Sequence, residues 1–159
     1  MNWVNLGARL GVAAFAAALA LQPAAAEPAT HGVRIAAIRM QLVYDAGGLS
    51  PDITPPSHFA LWNTGAGEGD ATGPAQDALV SVVLAGQGME NLNHAPLRIT
   101  VRSHGRVLAS HTYSDVFMTG PRVVKTVLVR NIACAGHVTV EATLGAQRRT
   151  TAVNFECGE

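Results

Sequence analysis

The chain has 159 residues, of which 14% are charged, with 11 basic against 11 acidic side chains and a formal net charge of zero. That length supports the core of one domain, and the charge balance offers neither a basic surface for nucleic acid nor an acidic disordered tail. Two cysteines are too few for a disulfide-dense scaffold or a four-cysteine zinc site.

The first segment reads as an export signal. The run Leu10 to Leu21 is apolar and uncharged, Arg9 precedes it, Gln22-Pro23 ends any helix, and Ala24-Ala25-Ala26 supplies the small residues a signal peptidase reads. A cleavable signal peptide over residues 1–26, cut before Glu27, is therefore expected. Twelve apolar residues are short for a membrane anchor, which needs about 20. No cysteine stands at the cleavage site to take a lipid, and a lone Arg does not make a twin-arginine signal. Removing Arg9 leaves 10 basic and 11 acidic residues, a net charge of −1. Nothing after Glu27 is long and apolar enough to span a membrane. The expected location is periplasmic or secreted, and residues 27–159 are expected to form a single β-sandwich domain.

The 133 residues after position 26 hold 15 Val, 5 Ile and 12 Thr. These β-branched side chains are stiff at χ1 and favour strands. No stretch shows the i, i+3, i+4, i+7 apolar spacing of a helix, whereas short period-two runs recur between Gly, Pro, Asn and Asp. The first predicted strand is Val33 to Tyr44, whose apolar parity changes near Ala36-Ala37 as a bulge would make it. A loop from Asp45 to Ser57 follows, with three prolines and two adjacent glycines. His58 to Asn63 is predicted as a short strand carrying Phe59, Leu61 and Trp62. Ala78 to Ala85 is mostly apolar and is expected at the centre of a sheet. Leu97 to Ser103 alternates, with Leu97, Ile99 and Val101 on one face and Arg98, Thr100 and Arg102 on the other. His104-Gly105 turns the chain into Val107 to Tyr113. Arg122 to Arg130, His137 to Leu144 and Arg148 to Phe155 complete the set.

About seven or eight strands at this spacing describe an all-β fold, an immunoglobulin-like antiparallel β-sandwich. A closed soluble barrel with a ligand cavity is the alternative. A transmembrane barrel fits poorly, because the alternation is uneven and the chain closes on Glu156-Cys157-Gly158-Glu159 without an aromatic girdle. Trp62 precedes both cysteines instead of lying between them, so the antibody-domain signature is missing. Phe59 and Trp62 are expected in the core.

The cysteines measure the last hairpin. If Gly145-Ala146 is a two-residue type II′ turn, Leu144 faces Gln147 and paired positions sum to 291. Cys134 and Cys157 share that sum and are expected to form a disulfide in an oxidising compartment. The same register puts Val138, Val140, Ala142, Leu144, Val153 and Phe155 on an apolar face, and His137, Thr139, Glu141, Thr143, Arg148, Thr150 and Asn154 on a polar one.

Little chemistry is assembled by spacing. The glycine-rich stretch Thr64 to Asp77 carries Glu68, Asp70 and Asp77, hard oxygen donors that echo the opening of a calcium loop. Position twelve of that loop is Leu79 where a bidentate Glu belongs. No Gly-Lys-Ser/Thr makes a phosphate loop, and the single lysine, Lys125, stands among valines. His31, His58, His94, His104, His111 and His137 are scattered. Met89 with His94, and His111 with Met118, are candidate soft donors for copper. No G-x-S-x-G elbow occurs and no nucleophile is paired with a base, so catalysis is not expected. No cofactor is expected either.

The leading expectation is an exported small β-sandwich acting as a non-catalytic binding module of the cell envelope. Its partner would be another envelope protein or polymer, with Asp45–Ser57, Thr64–Asp77 and exposed edge strands as the contact surface. The alternative is a periplasmic carrier or sensor of copper or calcium. A hydrolase with a site built from distant loops is a third reading.

Overall fold

The computed structural model describes residues 32–158. The expected signal peptide, its cleavage junction and His31 lie outside the described residues. The fold is all-β and antiparallel. Seven long strands form two sheets: β1 (Arg34–Val43), β2 (Asp77–Ala85), β4 (Leu97–Ser103), β5 (Arg106–Tyr113), β7 (Arg122–Val129), β8 (Gly136–Leu144) and β9 (Gln147–Phe155). Two-residue strands β3 (Glu90–Asn91) and β6 (Phe117–Met118) pair only with each other. The first sheet has the order β1-β2-β7 and the second β5-β4-β8-β9. The first, second and fifth long strands thus face the third, fourth, sixth and seventh. This is the immunoglobulin-like arrangement with its fourth strand carried by the other sheet than in antibody constant domains.

Alternation explains the core. Leu97, Ile99 and Val101 of β4 and Val138, Val140, Ala142 and Leu144 of β8 are fully buried. They meet Met40 and Leu42 of β1 and Val80, Val82 and Leu84 of β2 in one continuous cluster. β2 is buried on both faces over most of its length, as a strand between two neighbours should be. Thr100, expected to face solvent, is 7% exposed because β5 and β8 flank it and its hydroxyl lies 3.4 Å from that of Ser110. The parity change in β1 is a register shift between Ile35 and Ala37 against β2.

The β8–β9 hairpin keeps the predicted register from Leu144↔Gln147 to Gly136↔Phe155. Gly145 has φ 55° and Ala146 does not share a positive φ, which is the type II′ pattern. Cys134 and Cys157 form a disulfide with Cα atoms 5.4 Å apart, just past the last ladder pair. At the other hairpin Ser103 pairs with Arg106, and both His104 (φ 47°) and Gly105 (φ 77°) are left-handed, a type I′ turn.

One predicted strand is absent. His58 to Asn63 forms no ladder; only Trp62 makes an isolated parallel bridge, to Glu156. Its backbone is taken by other partners, since Ala60 N–H donates to Asp70 and Asn63 turns left-handed at φ 43°. Leu61 reaches the core and Phe59 packs at its margin, but Trp62 is 44% exposed and is not a core residue.

The edge of β1 is covered by the chain itself, and further contacts join the two sheets. The segment after β1 folds back along it: Ser50 Oγ accepts Leu42 N–H at 2.8 Å, and Asp52 Oδ1 accepts Met40 N–H at 3.2 Å. On the far side of that sheet, Tyr113 of β5 donates its hydroxyl to Thr126 O of β7. Gln147 of β9 accepts from Ile35 N–H (3.1 Å) and donates to Val33 O (2.7 Å), which sews the start of β1 to the second sheet. Such coverage is how natural proteins keep edge strands from pairing with other chains.

Candidate functional site

The acidic loop is locked into the fold. Its glycines allow a turn (Thr64–Ala66, a 3-10 helix) closed by Gly67 at φ 79°. Glu68 accepts from Asn63 Nδ2 at 3.0 Å, Asp70 from Ala60 N–H at 2.8 Å, and Asp77 from Asn131 N–H at 3.0 Å. Glu68 and Asp70 therefore both fasten residues 60–63, and Asp77 fastens Asn131 just past β7. Among the described residues no group of three or more His, Cys, Asp or Glu side chains converges to hold a metal. Met89 is 77% exposed and His94 is exposed in the connection before β4. Met118 is fully buried, whereas His111 is exposed and packs edge-on against Tyr113 at 4.4 Å. The thioether and the imidazole are thus presented to different surroundings.

The structure assembles another set of polar side chains on the outward face of the four-stranded sheet. A concavity of about 440 Å³ there is lined by Arg102, His104, Gly105, His137, Thr139, Glu141 and Arg148. Pairing explains why they meet. Arg102 of β4 stands directly opposite Thr139 of β8, and cross-strand partners point to the same face. His137 and Glu141 lie two residues either side of Thr139, so all three share that face. Arg148 of β9, opposite Thr143, reaches diagonally to an ion pair with Glu141. His104 projects from the β4–β5 turn at the upper end.

The turn is held in place by specific contacts. Ser103 Oγ donates to Ala135 O, tying the turn to the entry of β8. Gly136, at φ 68°, lies against the His104 ring: a β-carbon there would stand 2.6 Å from Nε2. The charges are unevenly satisfied. Glu141 and Arg148 neutralise each other, while the side chains of Arg102, His104 and His137 have no hydrogen-bond or ion-pair partner among the described residues. The outward face thus offers a free guanidinium, two imidazoles and a hydroxyl to solvent.

The hairpin register read from sequence groups His137, Thr139, Glu141 and Arg148 on one polar face. Arg102 and His104 join them only through the β4–β8 pairing, between segments more than thirty residues apart, which local pattern does not reveal. The available signal was the turn itself, where His104 occupies a position that favours Asn, Asp or Gly.

No family model matches the chain, and no curated protein matches it. Among solved structures the chain is similar to the C-terminal domain of wzt, with 11% identity over 80% of this chain and 74% of that one, at a TM-score of 0.41.

Proposed function

We propose that the mature chain is a non-catalytic binding module of the cell envelope, periplasmic or secreted, that engages an envelope protein or polymer through the outward face of β4, β8 and β9. The observation that supports this reading most is the concavity with three unpartnered polar side chains, Arg102, His104 and His137. Solvent-exposed polar side chains that converge in one depression can exchange bound water for the polar groups of a ligand. A rigid sheet also holds such groups more precisely than loops do. The two long loops first expected to make contact are hydrogen-bonded into the fold, and the edge of β1 is covered by its own loop. Export rests on the apolar run Leu10 to Leu21 and the small residues before Glu27.

Charge reversal at one free side chain tests the reading. Arg102→Glu leaves the core untouched, so the variant is expected to fold, to keep its disulfide and to lose co-fractionation with the envelope partner of the natural chain. Undiminished co-fractionation of a folded Arg102→Glu protein would show that contact is made elsewhere.

A further inference from the structure

We infer that the concavity on the four-stranded sheet is an anion site, which takes a carboxylate or phosphate group between Arg102, Thr139, His137 and His104. The inference rests on the proposed binding role of this face and adds the chemistry of what it recognises. Three features carry it.

The first is the donor set. Arg102 presents a planar fork of N–H donors suited to carboxylate and phosphate oxygens. Thr139, directly opposite, brings a hydroxyl within about 5 Å between β-carbons, and His137 lies on the diagonal at roughly 7–8 Å. One tetrahedral or planar anion spans those separations. The second is the charge balance. The only carboxylate lining the concavity, Glu141, is already held by Arg148, so Arg102 keeps its positive charge unspent among the described residues. The third is the placement of His104. A type I′ turn is most easily made with Asn, Asp or Gly at this position, and His104 is held left-handed at φ 47° with its imidazole against the bare Cα of Gly136. Backbone strain of this kind persists where surrounding structure enforces it, and it concentrates at functional sites. Here it sets an imidazole at the rim of a depression that already contains a guanidinium.

A free anion and one borne by a polymer share this chemistry, and the hydroxyls beside it suit a hydroxyl-rich polymer. Beside the concavity stand Thr143 and Thr150, paired across the sheet with Arg148 and Glu141, and among the described residues no Phe, Tyr or Trp occupies an outward position of β4, β8 or β9. An acidic glycan, with carboxylates for Arg102 and hydroxyls for the threonines, fits this lining.

The test is a titration of the full mature protein at low ionic strength, followed by amide and side-chain NMR shifts. The probes are inorganic phosphate, citrate, oligogalacturonate, a neutral dextran oligomer and oligoglutamate. Saturable shifts confined to β4, β8 and the His104 turn are expected for the small anions or for oligogalacturonate, and not for dextran. Tighter binding of oligogalacturonate than of citrate would mark the polymer as the source, and the reverse a free anion. Arg102→Gln should weaken the affinity by about tenfold or more, the loss of one charge-assisted contact, while Arg122→Gln on the other sheet should not change it. Absence of saturable binding, equal effects of the two variants, or saturation by oligoglutamate alone would overturn the inference. Loss of partner co-fractionation in Arg102→Glu without any anion binding would leave the binding role standing and remove only the anion site.

Discussion

Gly136 makes room for His104: a β-carbon at position 136 would stand 2.6 Å from Nε2 of the imidazole, on a backbone already at φ 68°. The imidazole is the far end of a side chain and can swing away, so the dominant cost of Gly136→Ala is the left-handed backbone, about 1–2 kcal/mol. A fall in Tm of roughly 4–8 °C is expected, together with displaced ring resonances of His104. An unchanged melting curve with unmoved ring resonances would contradict the packing described.

The disulfide closes the last hairpin across a sequence separation of 23. In the chain-entropy picture a loop of that size contributes about 3 kcal/mol by restricting the unfolded state. Replacing both cysteines by serine should lower stability by about that amount in urea unfolding. Binding through Arg102 should survive below the new midpoint, because the paired cysteines lie beyond the ladder and outside the concavity. A double variant as stable as the natural chain would count against this account.

Gln147 acts as a backbone surrogate between the sheets, accepting from Ile35 N–H and donating to Val33 O. Both partners are buried, at 6% and 1% exposure, so truncation leaves polar groups that water reaches poorly. Gln147→Ala should cost about 1–3 kcal/mol. Its direct signature is faster hydrogen exchange at the Ile35 amide, with exchange at Leu128 in the opposite strand of that sheet unaltered.

Calcium and copper are expected to leave the melting temperature of metal-free protein unchanged. Glu68 and Asp70 accept hydrogen bonds from residues 60–63 and Asp77 accepts one from Asn131, and moving them to a shared ion would break three fastenings. A concentration-dependent rise in Tm with either ion would restore the carrier reading, since any ligand of the folded state stabilises it.

Much of this fold was legible where local pattern decides the outcome. The strand Leu97–Ser103 follows from alternation alone, the bulge near Ala36 from a parity change, and the β8–β9 register from one turn and two cysteines. Local pattern misled at His58–Asn63, where apolar residues suited a strand but Asp70, ten residues away, takes the Ala60 amide. It misled again at Trp62, placed in the core by its type and found half exposed beside the carboxy-terminal segment. The two-residue strands β3 and β6 are too short to show a period. The candidate site was half legible. His137, Thr139, Glu141 and Arg148 share a face by hairpin arithmetic, but Arg102 joins them only through a pairing between distant segments. Glu68 and Asp70, acidic groups in a glycine-rich loop, resemble metal ligands in sequence, where the backbone and amide donors that occupy them do not show.

In the proposed function the outward face of the four-stranded sheet meets the partner. Site-specific photocrosslinking in intact cells tests it most directly, with a photoreactive residue placed at Thr139 or, on the outward face of the other sheet, at Val124, which is 52% exposed. A discrete crosslinked product is expected from Thr139, lost when Arg102 is also changed to Glu, and none from Val124. A product from Val124 alone would place the contact on the three-stranded sheet and rule out the proposed face.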